Sequence, residues 1–287
     1  MSRIVYVNGA YLPEEEATVS IFDRGFLMAD GVYEVTSVLG GKLIDFEGHA
    51  ARLTRSLGEL DMAQPISHEE LLAVHRELVA RNEIDNGLVY LQVTRGNPGD
   101  RDFVFPDPET TPGTVVMFTQ SKPDLIDSPA AAKGITVISV PDQRWARRDI
   151  KTVQLLYPSM AKMVAKAAGA GDAWLVEDGL VTEGSSNNTY IVKGGRIITR
   201  ELSNDILHGI TRAAVLRFAA EAQMEVEERA FSIEEAQSAD EAFVTSATTF
   251  VTPVVEIDGV KLGEGTPGPI AKRLREIYLD ESLKSAL

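Results

Sequence analysis

Residues 121–134 interrupt the apolar periodicity that runs through the rest of this 287-residue chain. The stretch holds Pro123, Pro129, Asp124, Asp127 and Ser128, then Ala130-Ala131-Ala132 and Gly134. No amphipathic period survives in it, as expected of a linker. Its position divides the chain into a smaller domain over 1–120 and a larger one over 135–287, each long enough to bury a core.

On either side, helix and strand signals mix without a regular βαβ rhythm, which predicts a mixed α/β (α+β) architecture. Ile4–Val7 and Ala10–Leu12 flank Asn8-Gly9, a type I′ hairpin signal. Val32–Leu39 reads as a strand turning at Gly40-Gly41. Residues 47–60 read as a helix with Ala51, Leu53, Leu57 and Leu60 on one face. Ser67–Asn82 reads as a helix opened by a Ser67/Glu70 capping box. Beyond the linker, Thr152–Ala168 reads as a helical segment interrupted near Pro158, and Thr182-Glu183-Gly184-Ser185-Ser186 as a loop between strands. Thr211–Glu225 and Ile270–Leu283 read as helices.

Apolar residues at 44% and charged residues at 25% are globular proportions. The 28 basic and 43 acidic side chains leave a net charge of −15, which repels phosphate backbones and anionic lipid, so neither nucleic acid nor membrane is an expected partner. No apolar run approaches the ~18–20 residues of a membrane span, and Met1–Tyr6 enters an alternating strand pattern without the apolar core of a signal peptide. The chain has no cysteine, which excludes thiolate metal sites and cysteine nucleophiles and fits a cytoplasmic location. Its four histidines are not spaced as ligand pairs, so no metal is expected.

Five segments carry chemistry. Asp149-Ile150-Lys151-Thr152 sets a lysine among apolar neighbours, where burial makes an amine a carbonyl nucleophile; read alone, Lys151 is equally a surface lysine paired with Asp149. Glu183, in Thr182-Glu183-Gly184-Ser185-Ser186-Asn187-Asn188, offers a carboxylate for a protonated ring nitrogen, or is part of a polar hairpin. Leu207-His208-Gly209-Ile210-Thr211 opens a helix whose free N–H groups suit phosphate, or is a plain glycine-initiated helix. Arg52, among small and apolar residues, is shaped to grip an anion with two N–H groups. Thr245-Ser246-Ala247-Thr248-Thr249 clusters small hydroxyls at a strand end, as an edge loop also would. An amine for an aldehyde, an acid for a pyridinium and several phosphate donors are what pyridoxal 5′-phosphate (PLP) requires.

The order of these motifs resembles the fold-type IV PLP enzymes, the class IV aminotransferases, from Tyr6-Val7-Asn8-Gly9 through Asp23-Arg24-Gly25-Phe26 and Asp30-Gly31-Val32-Tyr33-Glu34 to Thr252-Pro253-Val254. The resemblance implies a two-domain fold with the active site in the cleft between domains, a homodimer, and small-molecule partners: an amino donor and a 2-oxo acid acceptor. It implies that Lys151 forms the Schiff base with PLP and moves the proton, and that Glu183 pairs with the pyridine nitrogen. Arg52, Gly209, Ile210, Thr211 and the Ser246-Ala247-Thr248 loop would hold the phosphate, with Ala247 standing where relatives often carry threonine. Leu207 would support the ring, with Ser186 and Asn188 beside the cofactor. Tyr33, Arg144 and Thr248 would line the substrate side.

Lys151-Thr152 with Leu155-Leu156, Glu183-Gly184-Ser185-Ser186-Asn187-Asn188 and Val93-Thr94-Arg95-Gly96 look most like the D-amino acid branch of the family. That branch carries Arg-x-His for the substrate carboxylate; here Arg101-Asp102-Phe103 keeps the arginine and replaces the histidine, with Arg24 a second candidate clamp. The implied reaction moves the amino group of a D-amino acid, such as D-alanine or D-glutamate, to a 2-oxo acid such as 2-oxoglutarate. The alternatives are an (R)-selective amine or branched-chain transaminase, an aminodeoxychorismate lyase, or a binding protein that has lost catalysis.

Overall fold

Asn8 and Gly9 both take positive φ (46° and 94°) and turn the first hairpin, pairing Val7 with Ala10 as the sequence predicts. The computed structural model describes residues 2–287. It divides into two units. The first runs to Leu125 and recovers two later segments, Ile150–Gln154 and Ser285–Leu287. The second holds Ile126–Asp149 and Leu155–Lys284.

The first unit comprises β1 (Ile4–Val7), β2 (Ala10–Pro13), α1 (Arg24–Met28), β3 (Gly31–Leu39), β4 (Lys42–Leu43), α2 (Phe46–Glu59), α3 (His68–Arg81), β5 (Gly87–Thr94) and β6 (Thr114–Ser121). Its strands form one antiparallel sheet in the order β2-β1-β6-β5-β3-β4. Helices α2 and α3 bury Leu53, Leu57, Leu71, Val74 and Leu78 in a core shared with Val32, Val89 and Met117 of the sheet. The buried stripe of α2 runs through Ala50 and Leu53; Ala51, which the sequence places on that face, is exposed. The Ser67 hydroxyl accepts from the Glu70 N–H at 3.2 Å, so the expected cap forms.

The second unit comprises α4 (Pro129–Lys133), β7 (Ile135–Pro141), α5 (Leu156–Ala167), β8 (Asp172–Glu177), β9 (Leu180–Gly184), β10 (Asn188–Lys193), β11 (Arg196–Thr199), α6 (Ile210–Glu221), β12 (Val226–Glu228), α7 (Ile233–Gln237), β13 (Glu241–Ser246), β14 (Phe250–Ile257), β15 (Val260–Lys261) and α8 (Pro269–Lys284). A nine-stranded mixed sheet runs β12-β11-β10-β13-β14-β7-β8-β9, with β15 on β14. Trp174, Ile191, Phe231 and Val244 lie in its core.

Three readings need correction. The stretch 121–134 is not featureless: Ser128 caps the short helix α4, with Pro129 in its first turn. Residues 152–155 are not helical. Thr152 bridges Val32 and the Val153 N–H donates to the Gly31 carbonyl, and α5 starts only at Leu156. The Thr182–Gly184 stretch is not a loop but belongs to β9, paired with β8 and buried. Thr152 is drawn out of a helix by a partner 120 residues earlier, Val32, whereas Thr182–Gly184 is ordered by the neighbouring strand β8 in spite of its turn-like composition.

His75 on α3 is 2% exposed, meets the Phe46 ring edge-on at 5.1 Å and donates from Nδ1 to the Leu71 carbonyl at 2.8 Å. Burial lowers its pKa from 6.5 to about 4. The unfolded chain therefore binds this proton first, so stability is full above pH 6.5 and falls as pH drops toward 4. The residue's share of that loss is about 3 kcal/mol. Urea unfolding at pH 7 and pH 4.5 should show that His75→Gln, whatever its cost at pH 7, loses less on acidification than the unsubstituted protein.

Candidate active site

In the first unit the segment Ile150–Gln154 returns to lie beside β3. The Tyr33 N–H donates to the Lys151 carbonyl at 3.0 Å, the Val153 N–H donates to the Gly31 carbonyl at 3.1 Å, and Thr152 bridges Val32. Ile150 is buried in the core. This pins the backbone on both sides of Lys151, whose Nζ lies 4.2 Å from the centroid of the Tyr33 ring. Tyr33 stacks in turn on Tyr90 at 5.7 Å. Lys151 and Tyr33, proposed from sequence for different roles, thus stand together.

Glu34, next on β3, is a residue the sequence reading missed. Its carboxylate is 2% exposed and receives Arg52 Nε at 2.8 Å and Nη2 at 2.7 Å, with His49 Nδ1 at 2.8 Å. Despite burial, which opposes ionisation, Arg52 and His49 hold Glu34 down at a pKa of about 2. One edge of the Arg52 fork is therefore occupied, and the pair fixes its plane. The available signal was the lone charged side chain inside strand β3.

Arg24 lies elsewhere in this unit. It is 3% exposed, with Nε on Asp30 at 2.7 Å and Nη1 on the carbonyls of Asp102 and Val104. A guanidinium so engaged is not a free carboxylate clamp. Arg101 is exposed, lies 4.8 Å over the Phe103 ring and makes no ion pair among the described residues.

In the second unit β9 presents Glu183, 4% exposed, to three donors. Arg144 Nη1 reaches Oε1 at 2.5 Å; Asn188 Nδ2 and the Leu207 N–H each reach Oε2 at 3.1 Å. Burial pushes the Glu183 carboxyl above its ordinary range, and Arg144 opposes the shift. Arg144 is itself shared with Asp142, through Nε at 3.0 Å and Nη2 at 2.7 Å. Asp142 was not singled out from sequence. Arg144 therefore positions Glu183 and Asp142 in the structure, in addition to any contact it makes with substrate.

The other second-unit residues fall into two groups. Leu207, Gly209, Asn188 and Glu183 come together: Asn188 Nδ2 also donates to the Leu207 carbonyl at 2.9 Å, and a Cβ on Gly209 would fall 2.1 Å from Asn188 Oδ1. Helix α6 opens at Gly209 with no side-chain cap, leaving the amides that follow directed outward, with Thr211 buried. Ser246, Ala247 and Thr248 lie half-buried in the turn between β13 and β14, where the Ser246 and Thr249 hydroxyls bond at 2.8 Å. Ser186 is exposed, while its neighbours Ser185 and Asn187 both bond Asp172 at 2.5 Å.

Residues 31–257 match the family model for amino-transferase class IV. The chain belongs to the class IV aminotransferases. It is 40% identical over 285 residues to the D-alanine aminotransferase of Bacillus licheniformis, covering 98% of this chain and 99% of that one. It is 39% identical to the D-alanine aminotransferase of Staphylococcus haemolyticus, covering 95% of each. Among solved structures it resembles a T.th. branched-chain amino acid aminotransferase complexed with N-(5′-phosphopyridoxyl)-L-glutamate. The TM-score is 0.88 at 31% identity, covering 99% of this chain and 95% of that one.

Class IV aminotransferases use PLP, and the side chains present fit it. A carboxylate accepts about four hydrogen bonds; Glu183 receives three, so Oε1 keeps a site for a ring N–H. The uncapped start of α6 has the donors and dipole end that phosphate needs. Lys151 would supply the amine. Among the described residues no group of side chains could hold a metal ion, and no helix is long and apolar enough to cross a membrane.

Gly209→Ala tests the packing that supports Glu183. The backbone at Gly209 (φ −63°) accepts alanine, so the main cost is displacement of Asn188, about 1–3 kcal/mol, with Arg212 Cβ also close. Urea unfolding should show that loss, and PLP titration should show weaker binding.

Proposed function

We propose that this chain moves the amino group of a D-amino acid, D-alanine foremost, to a 2-oxo acid such as 2-oxoglutarate, as a cytoplasmic homodimer. The observation that carries the reading is the identity of 39–40%, along nearly the whole chain, to relatives named D-alanine aminotransferase. The homodimer reading is supported by large apolar side chains left in solvent, among them Phe26 at 74%, Val104 at 74% and Leu156 at 77% exposure.

Bound PLP supplies the electron sink that accepts the pair released when the Cα–H bond breaks. Lys151 would hold the cofactor covalently through Nζ and, once exchanged for the donor amine, carry the proton from the donor's Cα to the cofactor's C4′, and in the reverse direction when the 2-oxo acid is the acceptor. The Tyr33 ring, its centroid 4.2 Å from Nζ, limits the directions the amine can point. Glu183 would hold the ring nitrogen's proton, with Arg144, Asn188 and the Leu207 N–H fixing the carboxylate's plane. Arg52 and the residues Gly209, Ile210 and Thr211 would take the phosphate, joined by Ser246 and Thr248. Arg101 would meet the donor carboxylate.

A second reading, a branched-chain transaminase, draws on the likeness to the T.th. enzyme and on Phe103, 73% exposed, in the place of a carboxylate-binding histidine. D-alanine, L-leucine and (R)-1-phenylethylamine, each offered with 2-oxoglutarate, separate the candidates. D-alanine should be turned over fastest, and its failure would transfer the assignment to whichever donor reacts. Lys151→Ala should abolish turnover and the cofactor's protein-bound absorbance. Glu183→Gln should keep the cofactor and lower kcat at least about 100-fold.

A further inference from the structure

The residues left over from the site are two buried arginines beside the loop that carries Arg101. Arg24 and Arg95 are 3% and 8% exposed, and both place Nε on the same oxygen, Asp30 Oδ2, at 2.7 and 2.8 Å. Both guanidiniums stay charged and share that one oxygen, so neither is fully served by it. Arg95 spends its other nitrogens on the carbonyls of Leu60 and Asp61, at 2.8 and 3.2 Å, just past α2. Arg24 Nη1 turns to the loop and donates to the carbonyls of Asp102 and Val104. The Phe105 ring closes the arrangement, with its centroid 3.6 Å from the Arg95 guanidinium carbon and 5.5 Å from that of Arg24.

The segment between β5 and β6 has no regular element of its own, and its internal bonds are short-range: Asn97 to Gly99, Asp102 to Val104, and Asp107 to Thr110 and Thr111. The attachment of 102–105 to the sheet is thus the arginine pair. The dependence is mutual, because withdrawal of the loop would strip buried N–H groups of their acceptors.

We propose that Arg24 is a positioning residue for the donor: with Arg95 and Asp30 it latches segment 102–105 and thereby sets where Arg101 stands. Affinity for a carboxylate-bearing donor then depends on a side chain that never touches it. The proposal rests on the reading of Arg101 as the residue that meets the donor carboxylate.

The test is a double-mutant cycle on the holoenzyme with D-alanine as donor. Arg101→Ala should raise KM about tenfold or more, with a smaller change in kcat. Arg24→Lys keeps the charge but cannot serve Asp30 and two carbonyls at once, and should raise KM about tenfold. The double variant should bind D-alanine no worse than Arg101→Ala alone, because Arg24 acts through Arg101. An unchanged KM in Arg24→Lys, or two effects that multiply in the double variant, overturns the proposal. Where Arg24→Lys does not fold, Phe105→Leu takes its place in the same cycle. An unchanged KM in Arg101→Ala overturns the carboxylate reading itself. The latch is then judged by chymotrypsin cleavage after the exposed Phe103: faster cleavage in Arg24→Lys at an equal melting temperature upholds it, and an equal rate overturns it.

Discussion

Five residues, Ile150–Gln154, decide where this enzyme's amine stands. They follow the second unit's strand β7 in sequence, yet they pair with β3 of the first unit, with Ile150 in its core before the lysine and hydrogen bonds to Tyr33 and Gly31 at and after it. A lysine on a free loop would spend its flexible stem searching; one whose own backbone is bonded into a sheet loses that freedom at folding, before any ligand arrives. The same pairing explains why Pro158 does not break a helix: α5 begins at Leu156, so the proline falls in its first turn, where a missing N–H costs nothing.

The acidic and basic groups nearby obey a related constraint. Burying a charge is tolerated only where a partner and hydrogen bonds come with it. Glu34 meets this with Arg52 and His49, Asp30 with Arg24 and Arg95, and Glu183 with Arg144, Asn188 and a backbone N–H. These clusters sit on or beside strand residues, where the neighbouring backbone is already fixed, so each carboxylate also holds a guanidinium at a set angle. Arg52, expected from sequence as a simple phosphate grip, is for this reason half spent on Glu34 and wholly oriented by it.

What could be read from the residues alone follows from range. The Asn8-Gly9 hairpin, the Ser67 cap and the start of α6 at Gly209 are local signals, decided within a few residues, and they form as expected. Lys151 and Glu183 were legible as chemistry because their neighbours carry a recognisable order, although their local structure was misjudged. Thr182-Glu183-Gly184 looks like a turn until β8 pairs with it, and Thr152 looks helical until Val32 does. Asp142, Glu34, Asp30 and Arg95 were passed over because nothing local separates a buried carboxylate or arginine from a solvated one. Some partners are distant, as Arg52 is from Glu34 and Arg95 from Asp30; others, such as Arg144 two residues from Asp142, are near in sequence but give no sign that the pair is buried. Arg24 misled for the same reason: its sequence neighbourhood suggests a ligand arm, and only the fold shows its nitrogens in use.

The net charge of −15 gains a meaning from how these clusters close. Around Glu183, the acids Asp142 and Glu177 join it against Arg144 and Arg148, leaving one negative charge beyond balance. Around Asp30, two arginines share one carboxylate oxygen, with the buried Asp23 carboxylate held by Thr94, the residue before Arg95. The excess at Glu183 is what a protonated ring nitrogen would neutralise; burial itself raises that carboxyl, and the Asp142 charge adds to it. The Arg24–Arg95 pair lies against the loop that bears Arg101, where a donor carboxylate would be drawn. An acidic protein can therefore handle anionic ligands without a basic surface, because the sign of the field is set by a few buried groups left short of one partner and not by the sum over the exterior.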